Sequence, residues 1–115
     1  MGREPATART EIPPGTLYML ILKTLVQLGP MHGYGIAQHI EQASEAVLLV
    51  EEGSLYPALQ RMLIKGWVIA EWGQSENNRR ARYYRLTPAG KKQLDVKISE
   101  FAKVMRAITR VIQPA

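Results

Sequence analysis

The amino-acid sequence predicts a mainly helical domain of the α+β class. Three segments before residue 66 have the apolar spacing of amphipathic helices, and a longer one fills the end of the chain. Between them, residues 67–87 contain two strand-like runs on either side of a polar, arginine-rich loop. A helix followed by such a hairpin is typical of a winged helix-turn-helix. We therefore predict a winged helix-turn-helix that continues into one further helix.

The composition is that of a single globular domain. The 115 residues are 46% hydrophobic and 22% charged, which is enough apolar material for a modest core. No apolar run approaches the roughly 18 residues of a membrane span, and no apolar signal region follows Met1. The sequence has no cysteine, which excludes a disulfide framework and a thiolate metal site. We expect a cytoplasmic protein.

The charge is distributed unevenly along the chain. Residues 1–60 hold three Lys and Arg against six acidic residues, a net charge of −3. Residues 61–115 hold twelve against four, a net charge of +8. This asymmetry favours a polyanion as the partner of the second half, with nucleic acid as the first candidate. A solvated basic surface without a partner is the alternative.

The first two predicted helices are expected to support the fold. The first follows Thr16, a favourable N-cap residue, and ends at Gly29-Pro30. It is apolar over a wide arc, which indicates burial in the core and a second contact that a dimer could supply. The second opens at residues 31–35, where small residues such as Gly33 predict the close approach of another backbone.

Two short segments have less regular patterns. Residues 1–14 contain three prolines and no apolar periodicity, which predicts a flexible tail. Residues 47–50 form either a small strand or an extended connector beneath the next helix.

Neither histidine is predicted to have a chemical role. A zinc site needs four ligands, or three and a water, whereas the chain offers His32 and His39 without cysteine. We expect His32 to cap or pack at the start of the second helix. Ser54 with either histidine would suggest a nucleophile, but no acid–base constellation or phosphate loop accompanies them. We predict no metal, no cofactor and no enzymatic activity.

The third predicted helix, residues 54–65, has the features of a recognition helix. Ser54 is expected to cap its N-terminus, Pro57 to lie in its first turn and Gly66 to follow its C-terminus. Its apolar face would pack on the first two helices while its outer face reaches a DNA groove. An ordinary surface helix is the alternative, which the outward position of Ile64 favours. The outer face and its boundary carry Tyr56, Pro57, Gln60, Arg61 and Lys65.

The predicted hairpin has the features of a wing. Residues 67–72 and 81–87 are strand-like, and residues 73–80 form a polar turn between them. Asparagine tolerates left-handed turn geometry or bonds to sugar and phosphate, and arginine suits phosphates and a narrow minor groove. A merely solvated hairpin tip is the alternative. The candidate contacts are Asn77, Asn78, Arg79, Arg80 and Arg82. We expect the hairpin core to contain Trp67, Trp72, Tyr83 and Tyr84.

The last predicted helix starts at Thr87-Pro88, a capping residue followed by a proline at the first helical position. Its apolar residues then recur at alternating steps of four and three, which is the seam of a coiled coil. Such a seam packs on the first helix, pairs with a second copy, or does both, and we favour dimerisation. The expected dimerisation residues are Leu17, Ile21, Leu94, Ile98, Phe101, Met105, Ile108 and Ile112.

Several motifs together resemble the PadR family of bacterial transcriptional regulators, over about residues 13–95. The most specific are residues 53–59 (GSLYPAL) taken with residues 83–90 (YYRLTPAG). Residues 14–17 (PGTL), residues 29–34 (GPMHGY) and Arg61 with Gly66-Trp67 add to the match.

The resemblance implies a homodimeric repressor that binds a palindromic operator in double-stranded DNA. It implies that Ser54, Tyr56, Pro57, Gln60 and Arg61 lie at the major groove or its phosphates, and that Arg79, Arg80 and Arg82 serve the wing. The domains would be a tail at residues 1–14, a DNA-binding domain at residues 15–87 and a dimerisation helix at residues 88–113.

The chain resembles the family's short C-terminal class. Some members of that class bind aromatic or cationic compounds in a pore at the dimer interface, lined by aromatic residues of the last helix. Here Phe101 is the one aromatic residue of that helix, and a small-molecule effector is left open. The alternative function is a winged-helix protein-interaction module without specific DNA binding.

Overall fold

The predicted winged helix-turn-helix is confirmed by the computed structural model, which describes residues 10–13 and 15–113. Within these residues the helices are α1 (Leu17–Leu28), α2 (Gly33–Ala43), α3 (Glu52–Ile64) and α4 (Pro88–Ile112). The strands are β1 (Thr10–Glu11), β2 (Met31–His32), β3 (Leu48–Leu49), β4 (Val68–Gln74) and β5 (Arg80–Leu86).

The core lies where α1, α2 and α3 meet beneath the hairpin. Each helix contributes one apolar stripe, because side chains three and four residues apart share a face. The hairpin and α4 close the core from the other side. The buried side chains include Ile21, Leu22, Leu25, Ile36, Ile40, Leu55, Leu59, Met62, Val68, Tyr84 and Leu94.

The hairpin belongs to a three-stranded antiparallel sheet in the order β2-β5-β4. Its third strand is β2, where Met31 pairs with Tyr84 and His32 with Tyr83. We did not predict this strand, because two residues carry no periodicity. It attaches the base of the hairpin to the start of α2.

A second, two-stranded sheet joins the N-terminal segment to the link before α3. Thr10 and Glu11 pair in parallel with Leu48 and Leu49. Residues 47–50 therefore contain the small strand that was one of the two expectations. Thr10–Glu11 of the predicted tail form a strand, while its residues 1–9 and 14 lie outside the described residues.

The start of α3 differs from the prediction. The helix begins at Glu52, with Glu51 at the N-cap, so Ser54 is its third residue rather than its cap. The Glu51 carbonyl accepts hydrogen bonds from the backbone N–H groups of Ser54 (3.0 Å) and Leu55 (2.9 Å), which closes the first turn earlier. Glu52 is also favourable there, since a carboxylate interacts well with the N-terminal end of the helix dipole. Pro57 consequently lies inside the helix, beyond the first turn.

The C-terminus of α3 is joined closely to α4. Gly66 has the predicted left-handed conformation (φ 77°), and the Trp67 N–H bonds to the Met62 carbonyl at 2.9 Å. The Thr87 hydroxyl donates to the Gly66 carbonyl (2.7 Å) and accepts the N–H of Gly90 (3.0 Å). The predicted cap of α4 is therefore present, and the same side chain also contacts the turn that ends α3.

The helix α4 has a buried beginning and an exposed remainder. Leu94 is buried, and so is Ile21 on α1, so both belong to the core of this single chain. We expected both residues in the dimer contact, but their burial within one chain leaves them little surface for a partner. Leu17 is half-buried. From Ile98 onward the predicted seam is open, with exposed fractions between 41 and 68%.

Candidate nucleic-acid interface

The outer face of α3 is a continuous exposed surface. The opposite face is buried through Leu55, Ala58, Leu59 and Met62, which fixes the orientation of the helix. The predicted contact residues of this helix, Ser54, Tyr56, Pro57, Gln60 and Arg61, are all exposed.

Two clefts flank α3 and are lined by four of these five residues, while Gln60 lines neither cleft. The first, about 540 Å³, lies toward α1 and β3 and is lined by Ser54, Pro57 and Arg61 of α3. The second, about 500 Å³, lies toward the hairpin and is lined by Tyr56. The wing residues Asn77, Arg79, Arg80 and Arg82 line the second cleft as well. The structure thus brings Tyr56 together with the wing, while Ser54 and Arg61 face the other side.

Tyr56 lies close against the first turn of α2. A Cβ atom at Gly33 would come within 2.7 Å of the Tyr56 ring and hydroxyl, so a side chain there would displace the ring. The predicted close approach at this glycine is therefore made by a ring rather than by a backbone. Burial raises the pKa of Tyr56, with further contributions from Glu52 and Tyr84. At neutral pH its hydroxyl keeps the proton and can donate a hydrogen bond to a phosphate oxygen.

The tip of the hairpin is a short, well-defined turn. The Asn78 N–H bonds to the Ser75 carbonyl at 2.9 Å, and the Ser75 N–H to the Arg79 carbonyl at 2.8 Å. Asn78 has the left-handed conformation (φ 59°) that we expected of an asparagine in this turn. The connection is shorter than predicted, because the strands extend to Gln74 and Arg80.

Two wing arginines lie over aromatic rings. The Arg80 guanidinium carbon is 4.4 Å from the centroid of the Trp72 ring, and that of Arg82 is 5.9 Å from the Tyr84 ring. Trp72 is 60% exposed, which corrects the expectation that it lies in the hairpin core. The reason is its register: Trp72 pairs with Arg82, one step beyond the buried Tyr84 toward the tip, where the hairpin borders the open second cleft.

His32 connects α2 to the hairpin. Its Nδ1 atom accepts the N–H of Gly35 at 2.9 Å, so the side chain caps the helix as expected. Its ring also packs edge-on against Tyr83, with centroids 5.2 Å apart. His32 lines the second cleft and Ser54 the first, so they form no joint site. Within the described residues no cluster of His, Asp or Glu could hold a metal ion.

Sequence reasoning missed the contribution of α2 to the second cleft. Tyr34 and Gly33 line it opposite the wing, and Trp72 lines it from the hairpin side. The small residues at the start of α2 were the available signal, because a helix start without bulky side chains leaves room for a neighbouring group. In the part of the chain that the structure describes, no helix is long and apolar enough to cross a membrane.

Proteins of known structure share this architecture. A transcriptional regulator from Clostridium thermocellum superposes with a TM-score of 0.78 at 27% identity, covering 86% of this chain and 95% of that one. A PadR family transcription regulator from Clostridium difficile gives a TM-score of 0.71 at 30% identity, covering 85% and 99%. An uncharacterized protein from Lysinibacillus sphaericus is 30% identical over 100 residues, covering 87% of this chain and 91% of that protein.

The matching region contains both α3 and the β4–β5 hairpin. The model of the transcriptional regulator PadR-like family matches residues 21–96, from the first core residue of α1 to the first turns of α4. The two clefts and all the predicted DNA contacts on α3 and the hairpin fall within or beside this range. The chain therefore belongs to the transcriptional regulator PadR-like family.

Proposed function

We propose that this protein represses transcription by binding a palindromic DNA operator as a homodimer. In this proposal α3 enters the major groove and the β4–β5 hairpin contacts the adjacent backbone and minor groove. One observation carries the DNA-binding part: all ten predicted contact residues are exposed, on the outer face of α3 and on the wing. In this proposal one duplex contacts both elements, which meet at the second cleft.

The dimensions of the two elements fit this arrangement. The thirteen residues of α3 give a helix roughly 20 Å long at 1.5 Å per residue. The major groove admits one such helix, with its N-terminal residues and outer face toward the bases. Gln60 is the candidate base reader, because an amide can bond to adenine with two hydrogen bonds. Arg61 and Ser54, on the side away from the wing, are the candidate phosphate contacts.

The charges support a polyanionic partner for the wing. Within the described residues, the ion pair on the hairpin joins Arg85 to Glu71, 3.6 Å apart. These two lie on the opposite face of the strands from Arg80 and Arg82, since successive side chains alternate in direction. Arg80 and Arg82 are thus left with aromatic rings rather than carboxylates as neighbours, and their N–H groups can bind phosphates.

The exposed seam of α4 supports a second copy of this chain as its partner. A row of half-exposed apolar side chains is costly in water, and the seam spacing is self-complementary.

The test is a selection of bound sites from random duplex DNA with the wild type and Met105→Glu. The proposal predicts two symmetric half-sites about one helical turn apart, or a multiple of it, for the wild type. Placing a carboxylate twice in the dimer seam should weaken dimerisation by about a hundredfold or more and abolish the selection of paired sites. Ser99→Glu is the matched control, because it adds the same charge at an exposed position of α4 outside the seam.

The outcomes separate the parts of the proposal. Paired sites with Met105→Glu, together with an unchanged sedimentation coefficient, would locate the dimer interface elsewhere. Absence of any preferred sequence with the wild type at physiological salt would instead favour the protein-interaction module. Repression is tested separately by a reporter promoter that contains the selected site, where added protein should lower transcription.

A further inference from the structure

Trp72 is placed unusually for a tryptophan. It lies on the face of β4 that, four residues earlier, buries Val68 in the core. On β5 the same face carries Tyr84, which is buried, and then Arg82 and Arg80 toward the tip. The inner face of the hairpin therefore changes from core to open surface along its length. Trp72 is the large apolar side chain on the open part, and it is 60% exposed.

The exposed indole of Trp72 has a charged side chain, that of Arg80, as its close neighbour. The Arg80 guanidinium carbon lies 4.4 Å from the ring centroid of Trp72, within the range of a cation–π contact. A guanidinium that stacks by its flat face keeps the N–H groups at its edge free for a planar or bidentate acceptor. No carboxylate of the described residues forms an ion pair with Arg80. Stacking therefore restricts the side chain without occupying its hydrogen-bond donors.

The stacked pair lines the second cleft, between the hairpin and α2 with α3. Across the cleft lie Tyr34 and Tyr56, the latter with a hydroxyl that stays protonated at neutral pH. In duplex DNA the major and minor grooves are separated by one sugar–phosphate strand. A protein that places α3 in the major groove and the wing at the minor groove must receive that strand between the two elements. The cleft of about 500 Å³ is the space that they leave.

We propose that Trp72 is a positioning residue for DNA binding: its indole holds the Arg80 guanidinium over the second cleft, where it binds a phosphate of the intervening strand. This inference rests on the proposed DNA-binding function. Without the indole, Arg80 keeps its charge but must lose its rotational freedom when DNA binds. The cost of ordering one long side chain corresponds to an affinity loss of about three- to tenfold.

The experiment is a double-mutant cycle with the full chain and a duplex that contains the selected operator. Trp72→Leu should weaken binding about three- to tenfold in the wild-type background and have little effect in Arg80→Ala, because the indole acts through the arginine. Trp72→Tyr should restore most of the affinity, since a phenol ring also stacks with a guanidinium. Ile69→Ala is the control: it removes an exposed apolar side chain from the other face of β4 and should leave affinity within about twofold.

Two results would overturn the inference. One is wild-type affinity for Trp72→Leu. The other is the same loss in both backgrounds, which would mean that the indole contacts DNA directly. Circular dichroism of each variant establishes that the fold is retained. Failure of the underlying function gives a different result, in which the wild type itself does not distinguish the operator from random duplex.

Discussion

The helix α3 and the β4–β5 hairpin both line the second cleft, but they are held in different ways. Beneath α3 lies the core, with Leu59 and its neighbours fully buried. The tip of the wing extends past the core, and its order comes from its own contacts, such as the bond from the Tyr83 hydroxyl to the Gln74 carbonyl (2.8 Å). The difference implies a division of roles. In the proposed complex, the buried support of α3 would suit this helix to reading sequence, while the wing would adjust to the DNA backbone.

The largest effect should come from removing the support of α3. Leu59→Ala deletes most of a fully buried side chain and should lower the free energy of unfolding by about 2–5 kcal/mol. Ile64→Ala, on the same helix but 76% exposed, should change it by less than about 0.5 kcal/mol. Urea denaturation at one protein concentration measures both. Equal small losses would show that this packing does not hold the helix.

The next effect concerns sequence reading. Gln60→Ala removes the candidate base reader from the exposed face of α3. It should reduce discrimination at one base pair of each half-site by about 1–3 kcal/mol, while binding to random duplex changes little. Competition with singly substituted operators measures this difference. A uniform loss on every duplex would remove Gln60 from the readers and weaken the proposed division of roles.

Substitutions in the wing should instead change the affinity for every duplex and leave sequence discrimination unchanged. Arg80→Ala should weaken binding to all duplexes by about tenfold and lower the slope of log affinity against log salt by about 1, as expected for one lost phosphate contact. Arg85→Ala is the matched control, because Arg85 is already paired with Glu71 on the other face. Salt titrations should therefore give a lower slope for Arg80→Ala than for Arg85→Ala. Identical slopes would remove Arg80 from the phosphate contacts.

A smaller effect is expected where the two regions join. His32→Ala deletes the cap of α2 and the ring that packs on Tyr83, and it should cost about 1 kcal/mol of stability. His32→Asn restores a capping oxygen and should recover much of that loss. Thermal unfolding measures the pair of variants. Indistinguishable midpoints for alanine and asparagine would show that the ring contact, rather than the cap, stabilises this joint.

The smallest effect is a shift in the titration of Tyr56. Its pKa is raised above the ordinary value of 10.0 by burial, Glu52 and Tyr84. The folded chain therefore holds this proton to higher pH than the unfolded chain does. The resulting stability is fully present below about pH 10 and is lost as pH rises through the folded pKa. Comparing the tyrosinate absorbance of the wild type and Tyr56→Phe should reveal one tyrosine that titrates late. If Tyr56→Phe instead lost a tyrosinate component that titrates near pH 10, the raised pKa of Tyr56 would be contradicted.

Local signals predicted several elements of the fold. Thr87-Pro88 marks the start of α4, and Gly66 marks the end of α3, because each residue provides a backbone or capping feature that few others can. The start of α3 was predicted wrongly, since Ser54 is a stronger local capping signal than Glu51. At Glu51 the carbonyl closes the turn and the side chain makes no cap, so the sequence contains little to mark it.

The sequence was less informative about features that depend on tertiary neighbours. The apolar spacing identified Ile21 and Leu94 as members of an apolar face, but spacing does not specify which surface covers that face. For Trp72 the residue type favoured burial, whereas its position along the hairpin leaves it at the open second cleft, 60% exposed. The exposure of the predicted contacts on α3 and the wing follows from polarity and position alone.

The contact of Thr87 with the turn after α3 has a mechanical consequence. Its hydroxyl connects the turn after α3 to the first turn of α4. The helix α4 has 25 residues and is roughly 37 Å long. In the proposed dimer α4 is then a lever with its pivot beside the reader. A tilt of about 5° at the pivot would move the far end by roughly 3 Å, about one base-pair step. Small changes at Thr87 would therefore alter the preferred spacing between half-sites.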